Sequence, residues 1–484
     1  MTMKLPVYLS SGEQARLIPV AADGNKETRA TAIILATMSA VPAYRKEMLG
    51  YLGKRVGIRS GLQCFTEITF KETKEKSRPD GLLLLDNGRG KVWSCLIEAK
   101  IKNQNLDQEQ IEKYILLAKQ HNIDAMLTIS NQFVAIPTHS PFKLSKVSTR
   151  GVEIYHWSWM HALTTAMLLI SEDEFESFEQ KFILSEMIRY FSHQSTGVST
   201  FDRMNSEWKD IVTKIQSGAI LNKSDIAVEN TVGAWHQETR DICLLLSRKL
   251  NRAVKLKLNK AHTDDPITRV KDDAEALIKD YKLTSAFDIP NTASSMLVTA
   301  DLLRRSVSLS MTLIAPKDKQ KTSSKINWLL KQLSKSDPSN IYIKATWPSR
   351  CPDTLAQLID VRENQNIIQS ENKSITPISF EVLLIQDLSS KFSGTKTFIE
   401  ILEVSILEFY EQVGQHLRAY IALPPPISEK NTSENNHPEG DNLIRINVSS
   451  TKDNEVIASN EEASKKLEKP IERKPGNPLQ PQDD

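Results

Sequence analysis

Hydrophobic and polar positions follow two different periods along the first part of the chain. Over residues 30–41 the apolar residues recur at the three- and four-residue spacing of a helix, which Pro42 perturbs or ends. Residues 64–70 (CFTEITF) nearly alternate and are rich in β-branched and aromatic side chains, as a strand requires. The same reasoning predicts a short strand at Arg16–Ala21, a helix at Leu106–His121, strands at Asp124–Ser130 and Gly151–Trp157, and helices at Ser158–Ile170 and Asp173–Ser192.

The most informative stretch is RPDGLLLLDNGRGKVWSCLIEAK, residues 78–100. Leu82–Leu85 is a short apolar run, and Val92–Ile101 is a second one. The residues between them, DNGRG, can take the positive φ angles of a tight turn. We therefore expect a β-hairpin of two buried strands, and a helix after it that allows the next strand to pair in parallel.

The second part of the chain contains helical and alternating segments without a readable motif. Residues 193–205 are polar and predict a linker. Alternation at residues 306–313 predicts a strand, and Thr395–Ile421 has the spacing of a long amphipathic helix. The final residues are rich in Asn, Glu, Lys, Pro and Ser, and bury too little apolar surface to offset their ordering entropy.

These patterns predict an α/β protein. We expect a mixed sheet flanked by helices with a helical extension in residues 1–195, an α+β domain of unknown role in residues 206–425, and a disordered tail in residues 426–484.

Composition adds few restrictions. The 484 residues carry a formal net charge of +2, too small to identify a partner, so local patches must carry any argument for nucleic-acid binding. The four cysteines form no CxxC pair, which favours reduced thiols over a disulfide framework or a zinc site. The sequence has no signal-peptide core and no apolar run long enough to span a bilayer, so we expect a cytoplasmic protein that does not insert into a membrane.

The hairpin also carries the candidate chemistry. Side chains alternate across a strand, so Glu98 and Lys100 point to the same face, and Asp80 lies beside them at the start of the first strand. Burying such charges in an apolar sheet is costly unless they are paired or bind a metal. Plainer interpretations stay open: Asp80 as a turn residue, and Glu98 and Lys100 as a solvated pair on an edge strand.

Pro79-Asp80 followed by Glu98-Ala99-Lys100 on a hairpin resembles the PD-(D/E)XK nuclease superfamily. Gln110 and Tyr114, on the helix that follows, are similar to the Q-x-x-x-Y element of its RecB-like members. The resemblance covers roughly residues 25–160 and implies a restriction-endonuclease-like fold. Gln110 and Tyr114 share one helix face, which in that superfamily borders the site and helps to position the substrate or the lysine; core packing is the plainer role for Tyr114.

The resemblance implies that Asp80 and Glu98 hold Mg²⁺, with Mn²⁺ as a substitute and the Ala99 carbonyl as a further ligand. Hard divalent cations prefer oxygen ligands, activate water and stabilise charge on a phosphate. Lys100 would then orient or help to deprotonate the attacking water. A further acid is Glu67 or Glu27; we favour Glu67, because its strand neighbours the hairpin and Glu27 fits a first-turn helix acid.

The expected function is therefore metal-dependent hydrolysis of nucleic acid, DNA before RNA, with a bacterial role in defence or DNA processing suggested by analogy alone. The alternative is an inactive nuclease fold that serves as a nucleic-acid-binding or protein-interaction subunit, with a protein partner on residues 206–425 or the tail. Basic stretches could contact phosphates or form a solvated face. They are Arg248-Lys249 with Arg252, Lys255, Lys257 and Lys260; Arg304-Arg305; and Lys317–Lys321.

Overall fold

Two β-sheets, each with its own helices, make up the part of the chain that the structure describes. The structure is a computed structural model, and it describes residues 5–18, 26–71, 78–88, 90–102, 106–142, 144, 149–172, 175, 177–222, 225–348 and 350–421. The tail expected at residues 426–484 lies outside these residues.

The first sheet has six strands that follow one another in chain order. Strands β1 to β4 are antiparallel neighbours, whereas β4, β5 and β6 run parallel. The strands are β1 (Leu9–Gln14), β2 (Gly61–Phe70), β3 (Gly81–Asp86), β4 (Val92–Ala99), β5 (Ala125–Ser130) and β6 (Glu153–Ser158). This confirms the predicted mixed α/β sheet, its hairpin and the parallel strand after the intervening helix.

Helices cover both faces of this sheet. They are α1 (Lys26–Ala40), α2 (Pro42–Tyr51), α3 (Gln108–Gln120), α4 (Trp159–Glu172) and α5 (Phe178–Phe191). Apolar residues of α1, α2, α4 and α5 share a core with Leu83 and Ile97, while those of α3 pack with Leu82 and Leu96 on the opposite face. Because side chains alternate along β4, Glu98 lies on the face that α3 covers.

The second sheet has seven strands, all antiparallel, in the order β12-β11-β13-β10-β9-β8-β7. Alternate residues of β8, β10 and β11 are buried, so one face of the sheet carries the core. Its strands are β7 (Lys255–Leu256), β8 (Lys282–Asp288), β9 (Met296–Asp301), β10 (Ser306–Ile314), β11 (Ile341–Thr346), β12 (Thr354–Gln357) and β13 (Ser379–Asp387).

The helices of the second part, apart from the short one over Lys260–Asp264, contribute to one hydrophobic core that includes Trp208, Trp235 and Phe398. They are α6 (Trp208–Gln216), α7 (Ile226–Leu250), α8 (Lys260–Asp264), α9 (Pro266–Asp280), α10 (Thr322–Gln332), α11 (Leu358–Glu363) and α12 (Thr395–Phe409). Among the described helices, none is long and apolar enough to cross a bilayer.

Two local predictions were wrong. The N-terminal strand is Leu9–Gln14, because these residues pair with β2, whereas residues 16–18 of the predicted Arg16–Ala21 are not in a strand and the rest of that prediction lies outside the described residues. The last long helix ends at Phe409, where the chain continues as a π-helical turn over Tyr410–Gly414. The predicted linker contains a 3₁₀ turn, Gln194–Thr196, and bonds to the first sheet through backbone and side-chain contacts described below.

Residues 1–423 form one compact unit, as their tertiary contacts with one another show. The two sheets nevertheless keep separate hydrophobic cores, and α7 contributes residues to both. Ile242 and Leu246 belong to the core of the second sheet, whereas Leu244 packs in that of the first.

Candidate active site

The β3–β4 hairpin places Asp80 beside the end of β4. The antiparallel register pairs Gly81 with Ile97, so the next residue outwards, Asp80, reaches the backbone at the end of the neighbouring strand. Its Oδ2 accepts the backbone N–H of Ala99 at 2.7 Å. At Gly81 a Cβ would lie 3.0 Å from the Phe65 carbonyl oxygen and 3.1 Å from Leu35 Cδ1, so the glycine allows close packing of β3 against β2 and α1 just after Asp80.

Lys100 follows β4 directly and is held by both its backbone and its side chain. Its N–H donates to the Ile129 carbonyl, and its carbonyl accepts the indole N–H of Trp159, each at 2.8 Å. The ammonium donates to Glu98 Oε1 at 2.7 Å and lies 3.7 Å from Glu27 Oε2. The structure thus brings Asp80, Glu98 and Lys100 together as the sequence predicts, with Glu27 as a fourth charge.

Burial governs the electrostatics of this group. Only 2 % of Glu98 is exposed, and burial raises its pKa. Burial, and then the Glu98 carboxylate, raise the pKa of Asp80 to about 8. Burial by itself lowers the pKa of Lys100, but the hydrogen bond and charge of Glu98, with the charges of Glu27 and Asp80, raise it above the ordinary value. Three carboxyl groups therefore compete for one ammonium.

Two oxygens in the cluster are buried without a hydrogen-bond partner among the described residues. They are Glu98 Oε2 and Glu27 Oε1, both on side chains whose other oxygen faces Lys100. A buried carboxylate oxygen without a partner is expensive, because its lost hydration is not replaced. A bound ligand, a water or a cation at this position would explain why such an oxygen is buried.

Helix α3 presents Gln110 and Tyr114 on one face. Asp107 caps the helix by accepting the N–H of Glu109 at 3.0 Å, which fixes where its first turn begins. Gln110 Nε2 donates to the Tyr114 hydroxyl at 3.0 Å. Burial, and then the charge of Glu98, raise the pKa of Tyr114 to about 12, so its hydroxyl stays protonated beside the carboxylates.

The structure places the two candidates for the additional acid differently. Glu27, in the first turn of α1, reaches Lys100. Glu67 is exposed on β2 with a positive φ of 50°, and its backbone N–H donates to the Asp80 carbonyl at 3.2 Å. This irregularity in β2 turns the Glu67 side chain towards solvent, so of these two acids it is Glu27 that joins the cluster.

The segment 195–199, which sequence reasoning assigns to a linker, bonds to residues on both sides of the site. The Gly197 carbonyl accepts the N–H of Lys102 at 2.9 Å and the side-chain amide of Asn131 at 2.8 Å. Asn131 also donates to the Lys102 carbonyl at 2.9 Å, and the ammonium of Lys26 donates to the Ser195 carbonyl. The segment therefore ties the chain after Lys100 to the start of α1.

Sequence reasoning missed three residues that bond to the backbone near Lys100, namely Asn131, Trp159 and Gly197. Each acts through the backbone near Lys100, and only Gly197, in a polar run, gave a local signal of unusual backbone geometry.

Asp80 and Glu98 are the residues that could offer oxygen ligands to a hard divalent cation. Asp80 and Glu98 offer carboxylate oxygens at the end of one strand pair, and Glu98 Oε2 is free of other partners among the described residues. With all groups ionised, three carboxylates against one ammonium leave an excess of negative charge that a divalent cation would balance. Within the described residues, no group of three or more His, Cys, Asp or Glu side chains is already arranged as a metal site.

Comparison with protein-family models, with curated proteins and with solved structures finds no match to this chain. Its function therefore has to be inferred from these side chains and their surroundings.

Proposed function

We propose that the chain is a metal-dependent nuclease of the PD-(D/E)XK type, with a restriction-endonuclease-like first domain, that hydrolyses phosphodiester bonds in DNA. The observation that carries this proposal is the meeting of Asp80, Glu98 and Lys100 at the end of β4, where Glu98 is buried and one of its oxygens has no hydrogen-bond partner within the described ranges. A charge cluster this costly to bury points to a task that needs it.

In this proposal Asp80, Glu98 and the Ala99 carbonyl hold Mg²⁺ or Mn²⁺, and Glu27 adds negative charge close to Lys100. When bound, the cation supplies an activated water and stabilises charge on the phosphate. Ile129 and Trp159 fix the backbone of Lys100, and Glu98 holds its ammonium, which would orient or help to deprotonate the attacking water beside the phosphate. Tyr114 and Gln110 border the same carboxylates and orient the substrate.

The experiment is DNA cleavage by the full chain. Supercoiled plasmid and linear single- and double-stranded DNA are incubated with Mg²⁺, Mn²⁺ or EDTA. Lys100→Ala is compared with Lys113→Ala, a change of the same kind at an exposed position on α3. Metal-dependent cutting that Lys100→Ala abolishes and Lys113→Ala preserves is the expected result. Cutting that survives in Lys100→Ala, or that persists in EDTA, would contradict the assignment.

One observation favours the alternative, an inactive nuclease fold that binds nucleic acid or a protein. The ammonium of Lys100 already pairs with Glu98 Oε1 at 2.7 Å, which compensates part of the buried charge without a cation. Thermal unfolding and DNA binding, each measured with and without Mg²⁺, separate the nuclease from the binding module. A nuclease should gain stability from Mg²⁺ and lose that gain in Asp80→Ala, whereas the binding module should bind DNA equally well with or without Mg²⁺ and in Asp80→Ala.

A further inference from the structure

Two adjoining cavities open beside the C-terminal end of α7. Their volumes are about 330 and 460 Å³, and both are lined by Ile289, Pro290 and Thr292 from the loop between β8 and β9. Arg252 and Arg418 line the first cavity, and Lys255 lines the second. We call this feature the basic groove, defined by Arg252, Lys255 and Arg418.

The lining of the basic groove carries more positive than negative charge: three cations face one acid, Asp288, which stands opposite Lys255 in the β7–β8 pair. Arg252, Lys255 and Arg418 are exposed and make no ion pair within the described part of the chain. Asp288 is the acidic residue in the lining, and it accepts the Ser295 hydroxyl at 2.6 Å. Three cations around a concave surface favour a ligand that brings several negative charges.

Backbone geometry fixes where these cations stand. Asn251, with a φ of 50°, caps α7 in the left-handed conformation, so the chain turns sharply just before Arg252. On the other side, the π-helical turn Tyr410–Gly414 precedes Arg418, whose Nη1 donates to the carbonyls of Gln415 and Leu417 at 2.7 and 2.9 Å. One nitrogen of that guanidinium is thus anchored, which orients the others.

The structure also divides the basic stretch that the sequence suggested. Arg248 turns inwards and donates to Thr164 Oγ1 at 2.9 Å, and Lys257 donates to Ser295 Oγ at 3.1 Å. Arg252 and Lys255 remain available, and Arg418 joins them from a segment far along the chain. A solvated basic face would need neither the cavities nor an anchored guanidinium.

We propose that the basic groove binds the phosphodiester backbone of the nucleic acid on which the site formed by Asp80, Glu98 and Lys100 acts. This inference rests on the proposed function for the identity of the polyanion. Guanidinium groups donate in a planar fork that matches phosphate oxygens, and phosphate contacts position a nucleic acid without reading its sequence. The groove therefore gives the second sheet a role in holding substrate, separate from the residues that cut it.

The test is a binding measurement that does not depend on cleavage. Fluorescence anisotropy of labelled single- and double-stranded oligonucleotides is recorded in EDTA at several salt concentrations, with Lys100→Ala as the background. The groove variant carries Arg252→Ala, Lys255→Ala and Arg418→Ala. The control carries Lys46→Ala, Lys271→Ala and Lys331→Ala, which removes the same charge from exposed positions elsewhere.

We expect the groove variant to bind at least about tenfold more weakly near physiological salt, and its dependence of log K on log salt to be shallower by about 2.7, three times the 0.9 per phosphate of duplex DNA. The control should keep the slope and affinity of the background. Because Arg418 also bonds its own backbone, a second variant, Arg252→Glu with Lys255→Glu, leaves that anchor intact and should weaken binding at least as much.

The outcomes test the basic groove and the nuclease activity separately. Equal affinities for the groove variant and the control, or no nucleic-acid binding by the background, would overturn the groove. Binding that only the groove variants lose, together with no cleavage by the wild type, would support the groove and refute the nuclease. Cleavage by the wild type with unaltered binding in the groove variants would do the reverse.

Discussion

Gly197→Ala tests whether the segment 195–199 holds the chain beside Lys100. Gly197 has a φ of +85°, and an added Cβ would lie 2.6 Å from Lys102 Cγ, 2.9 Å from Ile101 Cγ2 and 3.2 Å from the Lys102 backbone nitrogen. Ile101 is 2 % exposed and cannot swing away, so the segment itself must move.

The matched control is Gly151→Ala. Gly151 has the same φ of +85°, but an added Cβ there meets no atom of the described residues within 4 Å. Both substitutions incur the left-handed backbone penalty of about 1–2 kcal/mol. Gly197→Ala should also loosen the two hydrogen bonds that its carbonyl accepts, from Lys102 and Asn131, at about 1 kcal/mol each. We therefore expect Gly197→Ala to destabilise the protein by about 2 kcal/mol more than Gly151→Ala does.

The assay is urea unfolding of both variants and the wild type, followed by circular dichroism, with DNA cleavage measured in parallel. If the proposed function is correct, Gly197→Ala should also lower the cleavage rate at saturating DNA, because the backbone after Lys100 shifts, while Gly151→Ala should not. Equal losses of stability in the two variants would refute the steric reasoning.

Three further changes probe other parts of the structure. Burial raises the pKa of Glu238 well above its ordinary value, so the folded state keeps a proton that the unfolded state releases. The contribution of Glu238 to stability therefore falls with rising pH above about 4.5, and Glu238→Gln should gain stability relative to the wild type by up to about 1.4 kcal/mol per pH unit. Urea titrations at pH 5 to 8 check this, with the exposed Glu363→Gln as control; a pH-independent difference would contradict it. Trp159→Phe removes the indole donor to the Lys100 carbonyl and should cost about 1–3 kcal/mol, with turnover reduced more than substrate affinity; unchanged unfolding would show that the bond contributes nothing. Asp107→Ala removes the cap of α3 and should cost about 1 kcal/mol in the same assay, whereas Asp107→Asn should recover most of it.

The first sheet was predictable because its signals are local. The hairpin and the strands around it are continuous apolar runs bounded by turn residues, so Asp80, Glu98 and Lys100 could be placed from spacing alone. β8 escaped notice for an equally local reason. Helix α9 ends at Asp280, and its cap residue Tyr281 has a φ of 54° in the left-handed region that Gly or Asn usually occupies. The sequence therefore has no Gly or Asn that would mark the boundary between this helix and β8.

The surroundings of the site could not be predicted, because they depend on packing between distant segments. The choice between Glu27 and Glu67 depends on where α1 lies against the sheet and on a positive φ within β2. The polarity of residues 193–205 indicated a linker, yet Gly197 bonds to Lys102 and Asn131. Arg418 reaches the basic groove from a segment whose helix ends earlier than its periodicity indicates.

The shared helix α7 has a consequence for how the chain is made. Arg240 donates to the Tyr51 hydroxyl at 2.9 Å, and Leu244 is buried among the residues of the first sheet. On a ribosome, α7 emerges after that whole sheet: Leu244 follows Ser158, the last residue of β6, by 86 residues, which take roughly 4–17 s at about 5–20 residues per second. During that interval the nascent first half has an unfilled position in its core, and a fragment ending before α7 should recover its native packing only when the missing half is supplied as a separate chain.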